Sequence, residues 1–405
     1  MKSHPVRLVL ADDLVRSRLT VFFRLLLVIP HVIWAALIGS AVSVAVFANW
    51  FIVLVRGQTP HGLHDFIAGF VRYVMRVEAY LFLAANPFPG FYPFDEGGYP
   101  FDLEIDPPER QSRWVTVFRL PLFIPAAILA LTFVGSVGGG RTSYFGGGGA
   151  AGTAAFLIWW AALFRGRAPR GLRDVVAWGL AYSAQATAYV FLLTDRYPYS
   201  GPEAHLPPIE DDEAAPHPVT LTVADDLRRS RLTVFFRLLL ALPHLVWLVL
   251  WSVLAWLAAI VNWLATLVTG TPPAPFTRFL GAYVRYNAHL TAFLYLVASP
   301  FPGFVGKAGS YPIDLRIEPP GRQSRWATGF RLLLAVPALL FTSAAQGLLV
   351  VAGLLGWFAS LALGRMPPGL RNCGAYAVGY GGQVGAYALL LTDRYPDSTP
   401  RRLLR

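Results

Sequence analysis

The chain holds a single cysteine, Cys373, in 405 residues. That excludes an intrachain disulfide framework and a thiolate zinc cluster, and leaves Cys373 as a small buried apolar side chain. Charge is also scarce. Charged residues make up 14% of the chain against 55% hydrophobic, and a mean hydropathy of +0.49 places it with membrane proteins. Catalytic signatures are missing as well: there is no GxxxxGKS/T phosphate loop, HExxH, CxxC or GxSxG. His31 and His244 follow matching prolines, but two histidines without carboxylate or thiolate neighbours do not make a metal site. The segment TDRYP recurs at 194–198 and 392–396, where its aspartate fits helix capping and pairing with arginine better than acid catalysis. No catalytic residue, cofactor or metal is therefore assigned, and the pattern points away from an enzyme.

What is present is apolar and clustered. Residues 31–55 and 243–268 carry almost no charge and are long enough, at 1.5 Å per residue, to cross a hydrocarbon core of about 30 Å. The formal charge of +11 comes from 34 basic and 23 acidic residues. Its arginines sit at the edges of apolar runs, where anionic headgroups and the inside-positive bias account for them without nucleic acid. The N-terminal MKSHPVRLVLADD lacks the form of a removable signal peptide, so the first apolar helices are expected to act as their own insertion signals.

The chain repeats itself four times. Arg18, Arg24, Pro30 and Gly57 recur as Arg113, Arg119, Pro125 and Gly166, as Arg231, Arg237, Pro243 and Gly270, and as Arg325, Arg331, Pro337 and Gly364. Odd repeats end NPFPGF or SPFPGF and even ones LLTDRYP, so the larger duplication is of pairs. The first membrane half is 5–198 (units 5–98 and 99–198), and the second is 218–396 (units 218–310 and 311–396). An acidic, proline-rich linker at 199–217 joins them. A glycine-rich insertion at 135–152 interrupts one expected spanning helix.

Each repeat predicts the same elements. A short strand comes first, with Val6, Leu8 and Leu10 on one face, and its equivalents are Phe101–Ile105, Val219–Val223 and Ile313–Ile317. Next comes a basic interfacial helix, bent or restarted at the landmark proline, then a spanning helix. Asn49 with Trp50, and Asn262 with Trp263, lie near the far end of two of these, as packing and interface residues. After a glycine- and proline-rich turn, a polar-dotted return helix starts near Leu63, Leu172, Phe276 or Leu370.

The fold class so predicted is a mainly α membrane protein of four parallel strand, interfacial helix and two-spanning-helix repeats. It has about eight crossings and a small cytoplasmic β-sheet, formed in one piece or as two separate strand pairs. Arginine bias puts both termini in the cytoplasm of a cell bounded by an inner membrane. Arg24, Arg119, Arg237 and Arg331 are candidate binders of lipid headgroups. Arg72, Tyr73, Glu78, Arg285, Tyr286 and His289, costly against lipid, are candidate ligand-binding residues on the return helices.

FFRLLLVIPH at 22–31, FFRLLLALPH at 235–244, RGRAPRGL at 165–172 and LLTDRYP at 192–198 and 390–396 together resemble the bacterial membrane family known as domain of unknown function 4389. The resemblance covers nearly the whole chain. It implies an integral-membrane protein and carries over no activity, substrate or catalytic residue. The leading expectation is a non-enzymatic membrane scaffold or accessory protein, with anionic lipid headgroups and a membrane protein as partners. The alternative is a lipid- or small-solute-binding transporter or channel, whose polar residues would line a shared path.

Overall fold

Alternation in the short strands and long apolar periodicity in the helices yield a mainly helical chain. A computed structural model describes residues 4–93, 98–135, 149–206 and 216–401. It divides into two compact units, Met1–Pro207 and Pro208–Arg405. The first contains β1 (Val6–Leu10), α1 (Arg18–Leu27), α2 (Ile29–Arg56), α3 (His61–Leu81), β2 (Phe101–Ile105), α4 (Arg113–Val117), α5 (Arg119–Val134), α6 (Ala150–Arg165) and α7 (Arg170–Val190). The second contains β3 (Val219–Val223), α8 (Arg231–Phe235), α9 (Arg237–Thr269), α10 (Ala274–Leu294), β4 (Ile313–Ile317), α11 (Arg325–Gly329), α12 (Arg331–Leu363) and α13 (Pro368–Ala388). Most of the glycine-rich insertion, and residues 207–215 of the expected linker, lie outside the described residues.

The strands fall where alternation predicts, in two separate antiparallel pairs rather than one four-stranded sheet. β1 pairs with β2 about Leu8↔Leu103, and β3 with β4 about Leu221↔Leu315. Five residues per strand satisfy one partner each, and the inward side chains Val6, Phe101 and Leu103 are buried against the helices. The helix break differs from expectation. In three repeats it falls just before the landmark arginine, at Phe118, Phe236 and Phe330, and Pro125, Pro243 and Pro337 lie inside the following helix. In the first repeat Arg24 lies inside α1 and the break falls at Val28, beside Pro30, as the proline predicts.

Arg18–Arg56, Arg237–Thr269 and Arg331–Leu363 are long and apolar enough to cross a membrane, with mean hydropathies of 2.2, 2.2 and 2.0. Only 22% of the most apolar window of the first two is buried. In α2 the buried residues His31, Val42, Asn49 and Val53 form one narrow stripe, and most of the rest is apolar and exposed or half-buried. The return helices α3, α7, α10 and α13 lie between two layers. α3 packs on α2 and β2, and α7 on α5, α6 and β1; α10 packs on α9 and β4, and α13 on α12, β3 and β4. Gly382 lets the layers approach closely, since a Cβ there would stand 2.5 Å from Leu315.

Contacts between the two repeats of a unit are reciprocal. Arg18 Nη2 donates to Phe164 O (3.1 Å) at the end of α6, and Arg113 Nη2 to Val55 O (2.9 Å) at the end of α2. Trp159 Nε1 donates to Val21 O (3.2 Å), and Trp50 Nε1 to Thr116 O (3.0 Å). The second unit matches: Arg231 Nη2 to Ala362 O (3.0 Å), Trp357 Nε1 to Val234 O (3.1 Å) and Trp263 Nε1 to Thr328 O (2.8 Å). One repeat thus begins where the other repeat's long helix ends, and α3 and α7 run in opposite directions. The parallel direction expected from the sequence does not hold within a unit, because these pairings require an exchange of ends.

Residues 199–206, expected to be linker, fold back on the first unit. Ser200 is buried, and its carbonyl accepts from Trp178 Nε1 (3.1 Å) midway along α7.

Candidate functional site

All four return helices are 21 residues long and carry tyrosine at the same place: Tyr73, Tyr182, Tyr286 and Tyr380. Three residues on, each has a polar side chain: Arg76, Gln185, His289 or Gln383. Three residues turn a helix by about 300°, which leaves the two sets about 60° apart, near enough to be neighbours and far enough for each to meet a different layer.

The second set reaches the strands. Arg76 Nη2 pairs with Asp102 Oδ2 at 2.7 Å, and His289 Nε2 with Asp314 Oδ1 at 2.7 Å. Gln185 Nε2 donates to Val6 O (3.0 Å) while its Oε1 accepts from Tyr199 N (3.0 Å). Gln383 does the same with Val219 O (2.9 Å) and Asp397 N (2.8 Å). Arg72 Nε and Arg285 Nε add bonds to Leu103 O (3.2 Å) and Leu315 O (3.1 Å). Burial alone would raise the Asp314 carboxyl. The bond from His289, those from the Gly309 and Leu315 N–H groups, and the His289 charge outweigh it and hold the group below its ordinary 3.8.

The tyrosines face the apolar helices. Tyr73 OH lies 2.8 Å from His31 Nδ1, and Tyr286 OH 2.8 Å from His244 Nδ1. Each imidazole stacks on a phenylalanine of the FPGF segment, Phe91 at 4.2 Å or Phe304 at 4.1 Å. Both histidines are fully buried, and their Nε2 atoms lack a partner. In the even repeats alanine replaces histidine, and Tyr182 OH approaches Ala126 O at 3.5 Å instead. Glu78 belongs to neither set, and its Oε2 is buried without a hydrogen bond. The six return-helix candidates therefore divide between a strand-facing group (Arg72, Arg285 and His289), a group facing the long helices (Tyr73 and Tyr286), and Glu78 alone.

Arg24, Arg119, Arg237 and Arg331, expected to meet lipid headgroups, are 1–2% exposed. Each guanidinium lies over an aromatic ring at the end of a return helix: Tyr80 (4.2 Å), Tyr189 (4.7 Å), Phe293 (4.4 Å) and Tyr387 (4.2 Å). Arg24 Nη1 donates to Tyr80 O (2.5 Å) and Ala85 O (3.0 Å), and Arg237 Nη1 to Phe293 O and to Ala298 O (3.0 Å). Arg119 donates to Tyr189 O, to Thr194 O (2.9 Å) and to Asp195 Oδ1 (2.5 Å), and Arg331 Nη1 to Thr392 O (3.2 Å). These carbonyls lie in the last turn of a return helix or a few residues beyond it. As placed, the four arginines are buried helix caps, and the phosphate they were expected to hold is replaced by backbone carbonyls.

Sequence reasoning missed a second set at the same helix ends. Arg16 donates to Leu83 O (2.9 Å) and Ala84 O (3.0 Å), and Arg229 to Leu296 O (2.9 Å) and Val297 O (3.2 Å). In the even repeats Gln111 Nε2 holds Leu192 O (2.5 Å), and Gln323 Nε2 holds Leu390 O (2.7 Å). The four leucines share the left-handed conformation, with φ of 63°. A signal was available, since RSRL and QSRW occupy equal places in the repeats.

The family model described as Domain of unknown function (DUF4389) matches four times, at residues 18–94, 148–200, 231–304 and 325–398. No curated protein and no solved structure matches the chain.

Proposed function

Because the chain belongs to the family described as Domain of unknown function (DUF4389), we propose that it is a non-enzymatic integral-membrane scaffold or accessory protein, whose strand hairpins offer a docking surface at the cytoplasmic face of a bacterial inner membrane. Its partners are anionic lipid and a second membrane-associated protein. Membrane association is supported by the three long apolar helices and their exposed surfaces. The eight crossings expected from sequence need both repeats of a unit to run in one direction, and the reciprocal capping speaks against that.

The observation that carries the scaffold reading is how the polar return-helix groups are used. Arg72, Arg76, Gln185, Arg285, His289 and Gln383 bond to the unit's own strands. What remains outward is the polar hairpin surface, with Glu104 and Arg316 exposed. A transporter or channel would need those side chains free to line a path, and they are taken up by the unit's own strands.

Co-purification from membranes in mild detergent tests the reading. A partner enriched with the wild type and lost from a Glu104→Lys or Arg316→Glu variant is the expected result. A solitary monomer with no enriched partner would count against the scaffold role.

A further inference from the structure

Resting on the reading of the chain as membrane-bound, we infer that each unit lies flat in one leaflet of an anionic phospholipid membrane. Its long helices run parallel to the membrane plane within the hydrocarbon, and its strand hairpin faces water.

The exchange of ends carries the first step. At one end of the first unit α1 begins, α3 finishes and the α6–α7 turn sits, joined by Arg16 N to Gly166 O (2.9 Å) and Arg16 Nη2 to Leu83 O (2.9 Å). At the other end α4 begins, α7 finishes and the α2–α3 turn sits, joined by Gln111 N to Gly57 O (2.8 Å) and Gln111 Nε2 to Leu192 O (2.5 Å). The second unit repeats this with Arg229 to Gly364 O (3.0 Å) and Gln323 to Gly270 O (2.8 Å). The relation between the repeats is therefore a two-fold through the hairpin centre, across the helices rather than along them.

The hairpin stands over the middle of the helices. Arg72 and Arg285 are each the twelfth residue of a 21-residue helix, and they bond the central strand residues Leu103 and Leu315. Each central strand residue is thus about 15 Å from either helix end. Helices crossing the bilayer would hold Arg7 and Glu104, with side chains 37% and 61% exposed, near its midplane, where charge is least tolerated. Laid flat, the same unit has water on its strand side and lipid on its apolar side. A single layer of helices, about 10 Å thick, fits within one leaflet of about 15 Å.

Helix lengths agree. No Asp, Glu, Lys or Arg falls between Arg24 and Arg56, a helical run of about 46 Å that overshoots the hydrocarbon by half. α5 and α6, 16 residues each, follow end to end in the same layer, with Gly149 against the Thr132 carbonyl at their junction, and together run about 48 Å, an overshoot of the same size. In-plane helices have no required length. The rim fits headgroups at both ends: Arg165, Arg167 and Arg170 are exposed at one, and Arg56 and Arg110 at the other. Trp114 is 76% exposed beside Arg113, and Trp326 78% exposed beside Arg325.

Single cysteines in the full chain, on a Cys373→Ala background, test this with a membrane-impermeant thiol reagent applied to spheroplasts and to inverted inner-membrane vesicles. Ser17→Cys and Glu109→Cys mark the two ends of the first unit, Val9→Cys its strand face and Leu37→Cys its apolar face. Ser230→Cys, Arg322→Cys, Thr222→Cys and Val253→Cys repeat the set in the second, so that one misfolded variant does not decide the outcome. We expect both ends and the strand face to be labelled from one side only, with Leu37→Cys and Val253→Cys protected from both. Ends labelled from opposite sides, with the strand face protected, would overturn the flat arrangement and leave membrane insertion standing. Apolar-face cysteines labelled freely in a protein that does not sediment with membranes would overturn both.

Discussion

Odd and even repeats solve one problem with different chemistry. In all four, the return helix ends in a leucine with φ of 63° whose carbonyl points into a buried polar cluster. The odd repeats hold that carbonyl with an arginine that is itself neutralised: Arg16 by Asp12 at 2.8 Å, and Arg229 by Asp225 at 2.7 Å, all at 2% side-chain exposure or less. The even repeats use neutral Gln111 and Gln323, whose Oε1 atoms also accept from Arg119 (2.9 Å) and Arg331 (2.6 Å). The fold thus needs the hydrogen bond, and the second buried charge is dispensable where no carboxylate accompanies it.

The largest expected effect comes from breaking the odd arrangement halfway. Asp12→Ala leaves Arg16 buried and uncompensated, which costs about 3–5 kcal/mol, read as a lowered unfolding midpoint in detergent. Gln111→Leu removes a neutral donor and leaves the Leu192 carbonyl open, at about 1–3 kcal/mol by the same measurement. Converting the odd cluster to the even form, with Asp12→Asn and Arg16→Gln together, should cost about 1 kcal/mol, well below Asp12→Ala. A double variant as unstable as the sum of its parts would break the comparison.

The smallest effect separates the units by pH. Asp314 in the second unit is held below its ordinary 3.8, so its contribution is full above that value and is lost as pH falls through the lower folded value. Acid titration of the wild type against Asp314→Asn should therefore show the two converging below about pH 4. Divergence there would contradict the sign.

Much of the fold was legible because it rests on periodicity and position. The strands are found at the places that alternation marks, and Gly57, Gly166, Gly270 and Gly364 close the long helices with φ of 70–75°. What stayed hidden depends on which repeat a side chain reaches. Arg18 looks like a lipid-facing charge until Phe164 O is known to lie beside it, 146 residues away. Arg24 looks like a headgroup ligand for the same reason, since nothing in FFRLLLVIPH shows that Tyr80 O is its acceptor. The direction of one repeat against the other is carried entirely by such contacts, so a reading of each repeat alone gave them one direction where the structure gives two.

The direction of the helices relative to the membrane is measured most directly by polarised infrared dichroism of the amide I band, with the full-length protein in oriented bilayers containing anionic phospholipid. The flat arrangement predicts helix axes lying near the membrane plane on average. Axes near the membrane normal would contradict it.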